Sequence, residues 1–227
     1  MSNSTLKMIA LVTMLIDHIG ACIFTDQDIY RVIGRIAFPI YVFLLVEGYH
    51  KTRDVKKYIL RLLIFALVSE IPFDLGRKGV LFEWGHQNVF LTLALGLILI
   101  WCTDTIDKSS KVQPELRPVF HVLILVAIMV ASHLLRTDYV SCGITVIYIF
   151  YRFRSDDIRQ ELIKYALAAA TFFLYYGWAE MPCVMAFPLI HFYNGKRGMK
   201  LKYAFYVFYP AHFLCIWLVK LYLLPLL

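Results

Sequence analysis

The sequence predicts an all-α protein: a polytopic transmembrane helical bundle of about nine spans. Three observations carry that expectation. The 227 residues are 60% hydrophobic and 17% charged, whereas a soluble domain carries about 25% charged residues. The apolar residues run on without the alternation of a membrane barrel strand, in stretches near the ~20 helical residues that cross a hydrocarbon core. Lysine and arginine, finally, gather in alternate loops, as they do in multi-pass proteins.

The spans fall at about 6–24, 29–49, 58–74, 87–103, 118–135, 139–151, 162–177, 179–193 and 203–224. The sixth and eighth are short, which fits helices that are tilted, broken or buried against neighbours. With the N terminus inside, most Lys and Arg lie in cytoplasmic segments, and only Arg31, Arg77, Lys78 and Arg136 lie outside. Arg35, Arg61 and Lys220 fall within spans, and the C terminus beyond Pro225 is expected outside. The first apolar run is too long for a signal-peptide core and lacks a small-residue cleavage site, so it is expected to stay.

No linker or repeat divides the chain, so residues 1–227 are expected to form a single domain. The net charge of +7 follows from the loop bias and indicates a lipid bilayer, not nucleic acid, as partner. A homo-oligomer is compatible with this reading. Cys22, Cys102, Cys142, Cys183 and Cys215 are scattered without a CxxC pair. Neither zinc nor a disulfide framework is expected, and no metal ligands are assigned.

Polar residues inside the spans are the functional clue, because a lipid-facing charge costs a few kcal/mol. The first span contains Asp17-His18. Alternating topology places these two in the outer half with Arg31, Arg35, Glu70, Asp74, His86-Gln87-Asn88, His133, Asp138 and Glu180; His212 lies near mid-depth. Arg35 is expected to pair with Asp17, Glu70 or Asp74. Neighbours on a helix diverge by about 100°, so Asp17 does not orient His18. A carboxylate from another helix, Glu70 or Asp138, is expected to do so. Imidazoles exchange protons near neutral pH, which makes His18 and His212 candidates for chemistry. A second signature lies on the inner face, at Tyr193-Asn194-Gly195-Lys196-Arg197-Gly198 followed by Lys200 and Lys202. Glycine lets backbone N–H groups approach an anion, and Lys and Arg supply charge for phosphate.

Several segments together resemble the TraX family, integral membrane proteins associated with N-terminal acetylation of conjugative pilin. They are Leu6–Gly20 with its Asp17-His18-Ile19-Gly20, Ile33–Ile40, Val46-Glu47-Gly48, Ser69–Leu75, Gln87–Phe90, Asp138-Tyr139, Tyr193–Gly198 and Lys202–His212. One departure follows Asp138-Tyr139, where Val140-Ser141-Cys142-Gly143 stands in place of a more glycine-rich turn.

The resemblance implies a membrane-embedded acyltransferase using acetyl-CoA, in the multi-pass cytoplasmic membrane with its N terminus inside. It is also similar to polytopic acyltransferases in which an early-span histidine is catalytic, and His18 takes that place. Asp17, Arg35 and His212 complete the expected catalytic group, with His212 as alternative base or acyl-carrying nucleophile. Glu70, Asp74, Gln87, Asn88 and Asp138 are expected on the acceptor side, and Arg35, Gln87 or Asn88 could stabilise an oxyanion. Tyr193, Asn194, Lys196 and Arg197 are expected at the phosphates of acetyl-CoA. The acceptor is an amine or hydroxyl on a protein N terminus, glycan or small molecule. A proton-coupled transporter or small-solute channel is the alternative, since a relay also needs intramembrane Asp, His, Arg and Glu.

Overall fold

A computed structural model describes residues 1–155, 157–199 and 202–223. The expected end of the last span at 224, Pro225 and Lys200 therefore lie outside the described residues. Regular structure is helical throughout, and among the described residues the only β pairing is an isolated bridge between Gln87 and Thr137. Among the described residues, five helical stretches are long and apolar enough to cross a membrane: Asn3–Cys22, Asp28–Lys51, Val89–Lys108, Pro114–Leu134 and Tyr203–Leu223.

Five of the nine expected spans meet this criterion of length and composition. Helical segments occupy the other four positions but miss for visible reasons. Helix α4 (Val55–Lys78) is long but carries Lys56, Lys57, Arg61, Glu70, Asp74, Arg77 and Lys78. Helix α8 (Ile158–Tyr176) opens with Arg159, Glu161 and Lys164. Helix α7 (Val140–Arg152) has only 13 residues. The eighth position is a 3₁₀ segment, Gly177–Met185, leading into the short α9 (Ala186–His191), with Pro182 and Pro188 breaking any longer helix.

The chain divides into two compact units. The first comprises Met1–Leu44, Leu67–Glu83 and Phe172–Leu227. It contains α1 (Asn3–Cys22), α2 (Asp28–Gly34), the start of α3 (Ala37–Lys51) and α10 (Lys202–Leu218). Helices α2 and α3 are separated by a turn at Arg35-Ile36. The cause lies four residues on. Pro39 has no N–H for the Arg35 carbonyl, and its ring crowds that oxygen. Helix α2 packs closely on α1, and a Cβ added at Gly34 would lie 2.1 Å from Asp17 Oδ1 and 2.2 Å from its Cβ. Only glycine admits the Asp17 side chain there. Lys220, an expected intramembrane cation, reaches the Gly76 and Arg77 carbonyls at 3.1 and 3.2 Å. It thus caps the C-terminal end of α4, where a cation is favoured.

The second unit comprises Leu45–Ala66 and Trp84–Thr171. It is built on α5 (Val89–Lys108), α6 (Arg117–Leu134) and α7. Leu95, Leu99 and Ile144 form its centre, packed by Ile98, Ile124, Leu125, Ile128, Met129 and Tyr148. Asn88 starts α5: its side chain accepts from Phe90 N at 3.1 Å and donates to the Ala66 carbonyl at 2.7 Å. Helix α6 turns Val122, Leu123, Val126, Val130 and Leu134 outward, the pattern of a lipid-facing helix. The other end of this unit is tied by polar contacts. Asp104 accepts from Tyr49 and Lys108 at 2.6 Å each, and Glu47 pairs with Lys51 and Arg154 at 2.9 Å each. His121 lies between Tyr148 Oη at 3.2 Å and Asp107 Oδ1 at 3.1 Å.

The segment around Asp138-Tyr139, where a more glycine-rich turn is expected, has an unusual backbone. Arg136, Tyr139 and Val140 all have positive φ, at 51°, 58° and 40°. Non-glycine residues rarely adopt that region, and for β-branched valine it is an outlier. The hydrogen bonds Gln87 N to Arg136 O and Asp138 N to Gln87 O, 2.9 and 3.0 Å, hold the turn in place.

The contact at Gly34 can be tested. Gly34→Ala should overpack the α1–α2 interface at a cost of about 1–3 kcal/mol. The expected reading is a lowered thermal midpoint in detergent relative to the wild type.

Candidate functional site

All four residues expected to be catalytic lie in the first unit, in two side-by-side groups. The first group is electrostatic. Asp17 Oδ2 is 2.5 Å from Arg31 Nη1, and Asp17 Oδ1 is 3.7 Å from Arg35 Nη1. Arg35 Nε is 2.7 Å from Glu180 Oε2. Two guanidinium groups thus balance two carboxylates. Glu180 is 3% exposed, so its charge is tolerable only because it is paired. Of the expected partners of Arg35, Asp17 is met, while Glu180 makes the shorter contact.

The second group is the imidazole pair. His18 Nδ1 lies 2.7 Å from His212 Nε2. The two rings are within 7° of parallel, with centroids 5.0 Å apart. That separation with so short an N···N contact describes rings joined edge to edge in a common plane. His212 Nδ1 lies 3.0 Å from the Phe208 carbonyl one turn back along α10. Phe213 packs against both imidazoles at 4.4 and 4.3 Å, and Tyr209 meets them edge-on at 6.2 and 5.4 Å. Phe73 continues this wall by an edge contact to Phe213 at 5.1 Å.

Asp17 and His18 therefore diverge on α1 as helix geometry requires: the carboxylate meets arginine and the imidazole meets α10. The carboxylate partner expected for His18 from Glu70 or Asp138 is replaced by a second imidazole.

The remaining expected residues are placed as follows. Glu70 and Asp74 are buried on α4 in the first unit, and Asp74 Oδ2 accepts from Glu83 N at 2.7 Å. Gln87, Asn88 and Asp138 belong to the second unit. Gln87 forms the bridge to the 136–138 turn, Asn88 caps α5, and Asp138 lies 3.3 Å from His86 Nε2. Thr92 donates to the Asp138 carbonyl.

The 193–198 loop belongs to the first unit. Tyr193 packs edge-on against Phe43 at 5.1 Å, and the Asn194 side chain accepts from Lys196 N at 3.1 Å. Gly195 and Gly198 have φ of 72° and 68°, which only glycine adopts freely. The backbone of this loop is strapped to the start of α1: Asn3 N donates to Lys196 O at 2.8 Å and Ser4 N to Arg197 O at 3.2 Å. The Lys196 and Arg197 side chains remain exposed.

Sequence reasoning put Glu180 in the right layer without giving it a role. The signal was present, as a lone carboxylate in the apolar stretch Trp178-Ala179-Glu180-Met181-Pro182. Among the described residues, no three His, Cys, Asp or Glu side chains group to hold a metal ion.

Comparison with known proteins places these residues in context. A family model described as TraX protein matches residues 2–220. The chain is 28% identical over 244 residues to a Dichelobacter nodosus protein named "Probable fimbrial assembly protein FimC, serogroup H1", covering 96% of this chain and 95% of that one. It is 26% identical over 170 residues to "Protein TraX" of Escherichia coli, covering 73% of this chain and 62% of that one. Over 96 residues it is 31% identical to an uncharacterised protein of Rickettsia prowazekii, covering 42% of this chain and 35% of that one. No solved structure matches.

The charged group makes a separable prediction. Glu180→Ala strips Arg35 of its nearest carboxylate and should cost about 3–5 kcal/mol. Adding Arg35→Met should recover most of the lost thermal stability in detergent, because the buried charge leaves with its partner. Equal destabilisation by the single and double variants would contradict the pairing.

Proposed function

The chain belongs to the TraX family, and from that premise we propose that it is a membrane acyltransferase moving an acetyl group from acetyl-CoA to an amine or hydroxyl. The observation that carries this reading is the His18–His212 contact on two apolar helices. An imidazole pair flanked by a balanced group of charges suits proton transfer away from bulk water.

The chemistry is an acyl transfer. The acceptor nitrogen or oxygen attacks the thioester carbonyl while His18 takes its proton. The new C–N or C–O bond forms as the C–S bond breaks. The departing thiolate then recovers the proton from His18, so no net proton is produced. Arg35, ion-paired with Glu180 and Asp17, is the cation assigned to the developing oxyanion. Asn88 already has its side chain engaged at the start of α5, which makes it the weaker of the expected oxyanion donors.

Lys196 and Arg197 are assigned to the donor phosphates, on a loop shaped by Gly195, Gly198 and Asn194 and packed through Tyr193. We place the N terminus and this loop in the cytoplasm, where acetyl-CoA is found and where the basic residues lean. Glu70 and Asp74 line the acceptor side in this reading. The acceptor class that agrees with a fimbrial-assembly relative is a protein N terminus.

Purified protein with radiolabelled acetyl-CoA tests the assignment. His18→Ala should lower transfer by about 100-fold or more, whereas Lys196→Ala with Arg197→Ala should chiefly raise KM for acetyl-CoA. CoA should also raise the melting temperature of the wild type in detergent. Transfer unaffected by His18→Ala would contradict the histidine assignment, whereas a protein indifferent to CoA and without acetyl transfer would instead favour a proton-coupled transporter.

A further inference from the structure

We propose that His212 is a positioning residue: it holds His18 in the single tautomer whose Nε2 carries the lone pair. The inference deepens the acyltransferase reading, which it needs only for what that lone pair goes on to do.

The assignment follows from one backbone oxygen. The Phe208 carbonyl, 3.0 Å from His212 Nδ1, can only accept a hydrogen bond. His212 Nδ1 therefore carries the proton. In a neutral imidazole the other nitrogen is then an acceptor, so His212 Nε2 presents a lone pair. That lone pair faces His18 Nδ1 at 2.7 Å, so His18 donates through Nδ1. His18 Nε2 is left unprotonated and able to take a proton.

Protonating His212 instead would place a cation at a position 4% exposed, beside Phe208 and Phe213. Burying an uncompensated charge is strongly disfavoured. The neutral arrangement stands. It is also set within α10 itself, because Phe208 and His212 are one helical turn apart.

The chain of bonds stops at Phe208. A peptide carbonyl does not accept a proton near neutral pH, so a proton arriving at His18 has no onward route through His212. The arrangement orients a base and does not conduct. It also separates two roles that the residue types alone leave interchangeable: His18 touches the reacting atoms, and His212 acts through His18.

The test reads tautomers directly and needs no substrate. Nitrogen-15 NMR of histidine-labelled full-length protein in detergent should show His18 protonated at Nδ1 and bare at Nε2. His212→Gln, whose Oε1 can stand where Nε2 stood, should preserve that state. His212→Asn is too short to reach and should return His18 to a mixture of tautomers in a protein whose spectrum is otherwise folded. In parallel assays His212→Asn should lower kcat by at least about 10-fold with KM for acetyl-CoA unchanged, and His212→Gln should restore most of it. His18 protonated at Nε2 in the wild type, or unmoved by His212→Asn, overturns the proposal. The predicted tautomers in a protein without detectable acetyl transfer would sink the acyltransferase reading and leave the role of His212 intact.

Discussion

Ionisable groups placed inside apolar helices must be matched by one another, because the hydrocarbon around them offers nothing. Much of the first unit can be understood as the solution to that constraint. Asp17 meets Arg31 and Arg35, Arg35 meets Glu180, His18 meets His212, and Lys220 meets the carbonyls that end α4. The last three matches join elements far apart in sequence. The polar groups therefore serve both as ties between helices and as a chemistry-bearing cluster on the apolar helices of this unit. Gly34 serves the same end by leaving room for the Asp17 side chain.

Backbone breaks decide where these groups stand. Pro39 withholds the N–H that the Arg35 carbonyl would need, so the chain turns at Arg35-Ile36 and the guanidinium emerges from the break between α2 and α3. Pro182 and Pro188 keep the stretch carrying Glu180 from forming one long helix. In the second unit, three non-glycine residues at positive φ turn the chain between α6 and α7. Glycines would form that turn without steric cost, and this chain holds it with hydrogen bonds to Gln87 instead.

Much of the helical layout was legible in sequence because long apolar runs carry it: the first, fourth, fifth and ninth expected spans match helices that qualify by length and composition. The second does too, although the break inside it was visible only as Pro39. The other four expected spans do not qualify by length and composition, because charges or prolines interrupt apolarity in α4, α8 and the 3₁₀ segment before α9 and because α7 is short. At the site, helix geometry correctly sent Asp17 and His18 in different directions. The partner of His18 was not legible. His212 lies 194 residues away, and no periodicity links two helices so far apart. Reasoning from charge favoured a carboxylate, whereas burial among Phe208, Tyr209 and Phe213 is better suited to a neutral partner. Depth also groups Gln87, Asn88 and Asp138 with His18; those three belong to the second unit and His18 to the first.

The functional account reduces to one spatial claim: a thioester reaching into the first unit meets the open nitrogen of His18. A structure of the protein bound to a non-hydrolysable acetyl-CoA analogue tests it most directly. The account predicts the carbonyl carbon of the analogue within reach of a nucleophile deprotonated by His18 Nε2, its oxygen toward Arg35, and its phosphates at Lys196 and Arg197. An analogue bound with its carbonyl remote from His18, and its phosphates on other cations, would contradict it.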